Sequence, residues 1–461
     1  MSTEAVQEGV PDRIQSVIDD VGKVSETGEI PARIHNDREI FELERDRVFG
    51  GGWVFIGHES EIPEPGDYAK RYIADNPVIF VRDENHEIRV LFDACRHRGT
   101  TVVRAEQGNT THFRCPYHNW TYKNTGKLVG VPHKEQCYKE LDTCEYALQS
   151  PPQVDTYAGL VFACLSEDTP PLAEYLGDFK WYLDIAVDFA EGGLEVVGEP
   201  IRWEADTSWK IAADNFTGDA YHVPAAHKST MDLNIFPSDL TALAGNRTSL
   251  DVIDCSGHSC SFSYFEESPG GYPEEIFTDE HLSQLQYKIA KNHVSIVGTV
   301  FPNLSFNNTL KNADPDNREL KKFLTIRKWQ PVASDRTQIW NWILVPKNAS
   351  EEFKKQAYDT GITTFSVSGN FEVDDFAVWD GITEAAGSSF ARRTNRQSNY
   401  QMNMGEMGEA EDISDEWDGP GTVINSAFED GTMRTFYQSW YQMMTGQRID
   451  GSDTDSEQRG A

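Results

Sequence analysis

The chain has 461 residues, of which 38% are hydrophobic and 25% are charged, and its formal net charge is −34 at pH 7. The length allows two or three domains, and so acidic a surface excludes nucleic acid and anionic membranes as binding partners. No apolar run reaches the roughly 18 residues of a membrane span, and the cysteines show no regular disulfide spacing. We therefore expect a cytoplasmic globular protein. Its acidity predicts a halophilic source, because salt screens the repulsion between carboxylates.

The pattern along the first third of the chain changes from helix to strand. Helices are predicted over residues 10–24 and 37–48, and the residue that begins the second helix is an aspartate that can cap it. Two apolar segments, 78–82 and 88–92, then flank a polar tip and predict a β-hairpin. A further apolar strand is predicted at residues 160–164, where we expect this β-rich part to end.

Two short loops within the β-rich part each carry one cysteine and one histidine. The first contains Cys95 and His97, and the second contains Cys115 and His118. In a Rieske 2Fe-2S cluster, two thiolates hold one iron and two imidazoles hold the other. The same four side chains could bind one zinc ion. Zinc sites more often group their cysteines as C-x-x-C, so the mixed order favours the Rieske cluster.

A second metal-binding pattern occupies residues 214–227, D-N-F-T-G-D-A-Y-H-V-P-A-A-H. Non-haem Fe(II) oxygenases bind iron through two histidines and one carboxylate, which leaves positions open for dioxygen and substrate. On a helix, Asp219 and His222 would share a face, whereas His222 and His227 would lie about 140° apart. The two histidines converge only where the helix ends or kinks between them, and Pro224 predicts such a break.

The rest of the chain mixes helices and strands. Helices are predicted over 172–189, 351–365, 374–386 and 428–444, and strands over 194–204, 322–329 and 338–345. Antiparallel strands covered by helices form an α+β domain. The carboxylate that completes the iron site is sought at the start of helix 374–386, and the residues alone leave four candidates: Glu372, Asp374, Asp375 and Asp380.

The predicted fold class is therefore α+β. It combines a β-rich Rieske 2Fe-2S domain with an α+β catalytic domain whose antiparallel sheet is covered by helices. The expected domains are an N-terminal segment at 1–40 that packs on the catalytic domain, a Rieske domain at 41–162 and a catalytic domain at 163–461.

Five motifs resemble one known family, the large (alpha) subunits of Rieske non-haem iron aromatic-ring-hydroxylating dioxygenases of the naphthalene and biphenyl dioxygenase type. They are C-R-H-R-G at 95–99, C-P-Y-H at 115–118, N-F-T-G-D-A-Y-H-V-P-A-A-H at 215–227, T-V-F-P-N at 299–303 and F-E-V-D-D at 371–375. The resemblance covers roughly residues 35–445. Where the family commonly has glycine after the second cluster histidine, this chain has Asn119, a residue that tolerates a left-handed backbone.

The resemblance implies a role for each candidate residue. The ligands of the catalytic Fe(II) would be His222, His227 and Asp375. Asp219 would join His222 to a cluster histidine of the neighbouring subunit, and Asn215 would lie beside the iron. The residues that line the substrate pocket would be Phe216, Phe365 and Phe371.

The implied activity is cis-dihydroxylation of an aromatic ring with O2. Electrons would come from NAD(P)H through a separate reductase, with or without a ferredoxin, because the chain has no nucleotide-binding G-x-G-x-x-G motif after a strand. A ring-shaped trimer of alpha subunits with a small beta subunit is expected, each cluster facing its neighbour's iron. A Rieske monooxygenase or demethylase with the same two metals is the close alternative. A Rieske electron carrier is disfavoured by His222 and His227.

Overall fold

The computed structural model describes residues 10–236, 247–253, 256–278, 280–314, 316, 319–404, 410–426 and 428–447. The first nine residues of the predicted N-terminal segment therefore lie outside the described part. The chain divides into two compact units, a smaller one over Phe49–Leu172 and a larger one that combines Met1–Val48 with Ala173–Ala461. No helix among the described residues combines the length and apolar character that crossing a bilayer requires.

The larger unit begins with a mainly helical segment. Its elements are α1 (Asp12–Val21), α2 (Val24–Thr27), β1 (Glu29–Pro31) and α3 (Arg38–Arg47). Asp37 caps α3 as predicted, because its carboxylate accepts hydrogen bonds from the backbone N–H groups of Glu39 and Ile40. The predicted helix at 10–24 is divided at Gly22, where a Cβ atom would lie 2.7 Å from the ring of Tyr441. Glycine at this position permits close approach of the helix that contains Tyr441.

The smaller unit is rich in short antiparallel strands. They are β2 (Val54–His58), β3 (Asp67–Ile73), β4 (Asn76–Arg82), β5 (Ile88–Phe92), β6 (Gln107–Asn109), β7 (His112–Arg114), β8 (Thr121–Lys123), β9 (Leu128–Gly130), β10 (Gln153–Tyr157) and β11 (Leu160–Cys164), with α4 (Lys134–Cys137). The predicted hairpin is β4 paired with β5, in which Val78 lies opposite Phe92. The first cysteine–histidine loop follows β5, and the second joins β7 to β8. A buried core of Ile79, Leu91 and Phe113 supports both loops.

The remaining elements complete the larger unit. Its helices are α5 (Leu172–Tyr175), α6 (Lys180–Val187), α7 (Trp209–Asn215), α8 (Val223–Ala226), α9 (Lys228–Asp232), α10 (Gln284–Asn292), α11 (Glu351–Thr364), α12 (Glu372–Ala386), α13 (Ser389–Thr394) and α14 (Gly431–Thr445). Its strands are β12 (Leu194–Val196), β13 (Ile201–Ala205), β14 (Thr248–Ile253), β15 (Ser259–Tyr264), β16 (His293–Val300), β17 (Leu304–Asn312), β18 (Leu320–Ala333), β19 (Arg336–Pro346), β20 (Gln397–Asn399), β21 (Glu411–Asp412) and β22 (Thr422–Asn425).

One antiparallel sheet organises the larger unit. Its described strands follow the order β12-β19-β18-β17-β16-β15-β14-β22-β21, and β13 also pairs with β19. Helix α11 packs on β18 and β19, which confirms the predicted α+β class. The predicted strand at 194–204 is divided into β12 and β13, because Gly198 between them has φ 73°. Strands β14–β17, which carry much of the candidate site, were not predicted from the sequence.

Candidate metal centres and their pocket

The two cysteine–histidine loops lie side by side in the smaller unit. The ring centroids of His97 and His118 are 4.6 Å apart, and the thiols of Cys95 and Cys115 are close enough to interact. Both thiols are buried, whereas both imidazoles are partly exposed. The structure thus brings the four predicted residues together, with the sulfur atoms in the interior and the rings nearer the surface.

The donor atoms of these loops fit a cluster held by two thiolates and two imidazoles. The Nδ1 atoms of His97 and His118 are buried and have no hydrogen-bond partner among the described residues. Leaving such a group unsatisfied costs about 1–3 kcal/mol, so both nitrogen atoms are suited to bind a metal. The hydroxyl of Tyr122 accepts a hydrogen bond from the backbone N–H of Arg96 at 3.0 Å and lies 3.3 Å from Cys95 Sγ. Its own proton is therefore available to the sulfur.

A residue with a left-handed backbone closes each loop. Gly99, with φ 80°, donates its N–H to the carbonyl oxygen of Cys95 at 2.8 Å. Asn119, with φ 58°, donates its N–H to the carbonyl oxygen of Cys115 at 3.0 Å. Asparagine is among the non-glycine residues that most often adopt this conformation. The second loop therefore keeps the same closure as the first, although it has no glycine.

The histidines of the second motif flank one short helix. Helix α7 ends at Asn215, and Gly218 follows with φ 145°. His222 then immediately precedes α8 and His227 immediately follows it. The break in the helix therefore lies before Asp219, because the backbone of Gly218 is not helical. Pro224 does not break a helix but lies in the first turn of α8, where its missing N–H costs nothing.

His222, His227 and Asp375 come together as a group of three potential metal ligands. The Nε2 atoms of His222 and His227 lie 3.5 and 3.1 Å from Oδ1 of Asp375. One ligand atom from each residue lies within 4.8 Å of the other two. Asp375 belongs to the first turn of α12, far along the chain from the histidines. Two imidazoles and one carboxylate are the donor set that non-haem Fe(II) enzymes use.

Each of these histidines has a second carboxylate at its other ring nitrogen. Nδ1 of His222 lies 3.3 Å from Oδ2 of Asp219, and Nδ1 of His227 lies 3.4 Å from Oδ2 of Asp374. A carboxylate in this position holds the Nδ1 proton, fixes the ring orientation and leaves Nε2 for the metal. Asp374, one of the candidate ligands in the sequence, therefore contacts the Nδ1 atom of His227, whereas Asp375 contacts its Nε2 atom.

The charges within the group of three are mutually stabilising. Burial lowers the pKa of His222, but hydrogen bonds to Asp219 and Asp375 and their charges outweigh burial and raise it to about 10. Burial raises the pKa of Asp375, but His222 and His227 outweigh burial and lower it to about 2. The carboxylate is thus anionic and attracts positive charge between the two rings. A divalent cation bound there would replace the imidazole protons in that role.

The other predicted residues near the triad have distinct positions. The side-chain nitrogen of Asn215 lies 3.4 Å from Oδ2 of Asp219 and 3.3 Å from Nδ1 of His222. Of the remaining candidate carboxylates, Glu372 binds Arg327, and Asp380 lies near Asp206. The structure therefore brings Asn215 and Asp219 to the triad but directs Glu372 and Asp380 to other partners.

A cavity with about 890 Å³ of empty space, including its open mouth, adjoins the triad. The three predicted phenylalanines, Phe216, Phe365 and Phe371, line it together with Phe236. The ring of Phe371 lies 4.5 Å from the ring of His227, centroid to centroid. A flat apolar ring bound against these side chains would lie next to the candidate metal ligands.

The polar wall of this cavity was not predicted from the sequence. One face of the sheet contributes hydroxyl and amide groups from β14–β17: Ser249, Ser261, Ser263, Ser295, Asn307 and Thr309. Serine at alternate positions in S-C-S-F-S-Y, residues 259–264, is a signal for a strand with one polar face. That alternation does not reveal that the polar face borders a cavity.

A buried ion pair behind the apolar wall was not predicted from the sequence either. The guanidinium of Arg327 lies 4.8 Å from the ring of Phe216 and 4.6 Å from the ring of Phe365. Its Nη1 donates to Oε1 of Glu372 at 3.0 Å, and both side chains are fully buried. Glu372 begins α12, the helix that carries Asp375. The ion pair therefore connects the phenylalanine wall to the helix of the candidate ligand.

Two family descriptions match the chain. Residues 52–157 match the Rieske [2Fe-2S] domain, and residues 193–446 match the catalytic domain of the ring hydroxylating alpha subunit. The first range contains both cysteine–histidine loops, and the second contains the group of His222, His227 and Asp375.

Individual relatives cover nearly the whole chain. The N,N-dimethyl phenylurea N-demethylase subunit alpha of Sphingobium sp. is 34% identical over 94% of this chain and 95% of the relative. The biphenyl 2,3-dioxygenase subunit alpha of Rhodococcus jostii is 33% identical over 91% of this chain and 89% of the relative. The crystal structure of naphthalene 1,2-dioxygenase from Rhodococcus sp. bound to indole has a TM-score of 0.88 and 40% identity, covering 94% of this chain and 98% of that chain.

Proposed function

The chain belongs to the family of ring-hydroxylating dioxygenase alpha subunits, and from this premise we propose that it cis-dihydroxylates an aromatic ring. The reaction adds both atoms of O2 to adjacent ring carbons and consumes two electrons and two protons. The observation that carries the proposal is the group of His222, His227 and Asp375 beside a phenylalanine-lined cavity. The Rieske-type loops in the same chain support an internal source of electrons.

The metal groups that these residues would hold supply the redox chemistry. When bound, the 2Fe-2S cluster stores one electron and Fe(II) activates dioxygen. We propose Cys95, His97, Cys115 and His118 as the cluster ligands. We propose His222, His227 and Asp375 as the ligands of the mononuclear iron.

The chain's own residues would orient the reactants. Asp219 and Asp374 hold the Nδ1 protons of His222 and His227, so both imidazoles present Nε2 towards the metal position. The phenylalanine wall holds a flat ring beside the triad and excludes water from it. Asn215 contacts both Asp219 and His222, and we propose that it keeps their carboxylate–imidazole pair aligned.

We propose that Asp219 also connects one alpha subunit to the next. Its side chain is 26% exposed although it contacts His222. That exposed side supports a contact with a cluster histidine of a neighbouring subunit. A ring-shaped trimer of alpha subunits, with a small beta subunit, follows as the proposed assembly. The mass of the purified complex by light scattering tests it.

The remaining requirements of the reaction imply other proteins. We propose that a separate reductase delivers electrons from NAD(P)H, with or without a ferredoxin. The free thiols of Cys137, Cys144 and Cys164 support a reducing, cytoplasmic location. The net charge of −34 supports a high-salt cytoplasm.

Oxidative demethylation is the second candidate function. It is favoured by the 34% identity to an N-demethylase alpha subunit over 94% of this chain. Both reactions would use the same metal ligands, so the shape and polarity of the cavity must decide between them. The products differ: dihydroxylation leaves two oxygen atoms on the ring, whereas demethylation releases formaldehyde.

The decisive experiment supplies the iron-loaded protein with a reductase, NADH, 18O2 and either naphthalene, biphenyl or an N,N-dimethyl phenylurea. We expect two labelled oxygen atoms in the ring product and about three irons per chain, two from the cluster and one mononuclear. The Asp375→Ala variant is the matched control, because it should keep the cluster and form no product. Formaldehyde release without ring oxygenation would favour demethylation. About two irons per chain in the active protein would contradict both candidates.

A further inference from the structure

The sheet side of the substrate cavity carries a row of hydroxyl groups. Ser249 of β14 pairs with Ser263 of β15, Ser263 with Ser295 of β16, and Ser295 with Thr309 of β17. Paired residues of adjacent strands share one face of a sheet, and all four side chains line the cavity. The hydroxyl oxygens of Ser263 and Ser295 are 3.4 Å apart. An unsubstituted aromatic hydrocarbon has no group that could use this row.

Lys311 extends the same wall and carries a positive charge. It lies two residues after Thr309 on β17, so its side chain is on the same face, and it lines the cavity. The side chain is 8% exposed, and its ammonium donates to the hydroxyl of Thr363 at 2.9 Å. Burial lowers the pKa of Lys311 to about 8, so the side chain is still mainly protonated at neutral pH.

The ammonium of Lys311 has a hydroxyl partner, whereas none of the described carboxylates pairs with it. Among the residues that the structure describes, burial alone shifts the pKa of Lys311 and no carboxylate offsets it. This is informative because the chain has 75 acidic residues for 41 lysines and arginines, so a carboxylate could easily have been placed beside it. A buried cation without a counter-ion is unfavourable, and an anion that enters the cavity would supply the missing charge.

Arg247 adds a second positive side chain to this wall. It lies two residues before Ser249 and also lines the cavity, and its side chain is partly buried. Arg247 directly precedes β14, whereas Lys311 lies on β17, so the two cations are at opposite ends of the hydroxyl row. The cavity therefore has two different walls, phenylalanines beside the candidate metal ligands and hydroxyls with cations on the sheet.

We propose that the substrate is an aromatic ring that carries a carboxylate. Lys311 and the neighbouring hydroxyl groups bind this carboxylate, and the ring lies against the phenylalanines. This inference rests on the function proposed above and narrows its substrate class. The anion satisfies the ammonium of Lys311 and accepts hydrogen bonds from the hydroxyl row. The same contacts disfavour a plain hydrocarbon, because it would displace water from those polar groups and supply no counter-ion for the ammonium of Lys311.

The test compares three matched rings: naphthalene, 2-naphthoate and the neutral amide 2-naphthamide. Product formation is measured with the reductase as kcat/KM, and binding is measured separately by calorimetry without reductant. We expect 2-naphthoate to be preferred over both neutral rings. The Lys311→Met variant should lose about 30-fold in kcat/KM and in affinity for 2-naphthoate, because truncating one member of a buried charge pair has effects of this order.

Two further variants separate charge from folding. Lys311→Arg keeps the charge and should keep the preference for 2-naphthoate. Lys321→Met is the matched control on the adjacent strand, where Lys321 pairs with Lys311 in the sheet but binds Gln356 and Glu319. It should leave binding and turnover unchanged. Iron content and cluster absorbance confirm that each variant is folded.

Specific outcomes would overturn the inference. Equal use of 2-naphthamide and 2-naphthoate would mean that the wall recognises polarity and not charge. A preference for naphthalene, with unchanged kinetics in Lys311→Met, would refute the anionic substrate but leave the proposed dioxygenase function intact. If no ring is oxygenated, the proposed function fails, and Lys311-dependent binding of 2-naphthoate in calorimetry still decides whether this wall is an anion site.

Discussion

Replacing Arg327 by methionine should destabilise the larger unit strongly. Arg327 and Glu372 are both 0% exposed and are joined by two hydrogen bonds, one of 3.0 Å. Removal of one member of a buried ion pair typically costs about 3–5 kcal/mol, because the remaining charge is left without a partner. The guanidinium also stacks near the rings of Phe216 and Phe365, and its loss removes those contacts as well. A loss of this size is a large part of the roughly 5–15 kcal/mol that keeps a domain folded.

The Arg327→Met variant should also bind the mononuclear iron less tightly, because the position of α12 changes. Glu372 begins this helix and Asp375 lies one turn further along. Without Arg327, the carboxylate of Glu372 no longer holds the start of the helix against the phenylalanine wall. We expect iron affinity to fall by about 10–100-fold, as for other residues that support metal ligands.

Urea unfolding followed by tryptophan fluorescence measures the stability, and metal analysis after dialysis measures the mononuclear iron. The double variant Arg327→Met with Glu372→Met should recover much of the stability, because an apolar pair of similar volume often replaces a buried ion pair without loss. Lys355→Met is the control: Lys355 and Asp359 are 76% and 58% exposed, so the loss should stay below about 0.5 kcal/mol. A loss under about 1 kcal/mol in Arg327→Met, or a double variant no more stable than the single one, would refute this reasoning.

Three further predictions concern the metal centres and the surface charge. Asp375→Ala should lose the mononuclear iron and all product formation while the cluster spectrum stays intact. Asp374→Asn should only weaken iron binding, by about 10–100-fold. Metal analysis distinguishes the two variants, and the reverse result would exchange the roles of the two residues. Tyr122→Phe removes the hydroxyl beside Cys95 Sγ. Loss of a hydrogen bond of ~1 kcal/mol should lower the reduction potential of the cluster by about 40 mV. An unchanged potential in a redox titration would show that the hydroxyl does not donate to the sulfur. The midpoint temperature of thermal unfolding should rise with KCl concentration, because salt screens the repulsion between carboxylates at a net charge of −34. Full stability in low-salt buffer would contradict a halophilic source.

Short-range patterns in the sequence predicted much of the fold and the residue types of the site. Each cysteine–histidine loop has its two ligand types within a few positions of the chain, as in Cys95 and His97 or Cys115 and His118. Residues so close in sequence stay close in space in any fold, so the sequence alone reveals them. The strand character of residues 322–329 and 338–345 predicted segments of β18 and β19 for the same reason, since it depends on neighbouring residues. The helix break was predicted at Pro224 but lies at Gly218, because a proline in the first turn of a helix does not interrupt it.

By itself, the sequence determined the fold class, the family resemblance and the candidate ligands, because these depend on local spacing and residue chemistry. The tertiary structure alone decided which nitrogen of His227 faces Asp374 and which faces Asp375, and that Arg327 meets Glu372 across 45 positions. It also decided that four hydroxyls from separate strands form one wall with Lys311. Such contacts depend on strand register and helix placement, which the packing of the whole sheet determines and which local patterns do not encode.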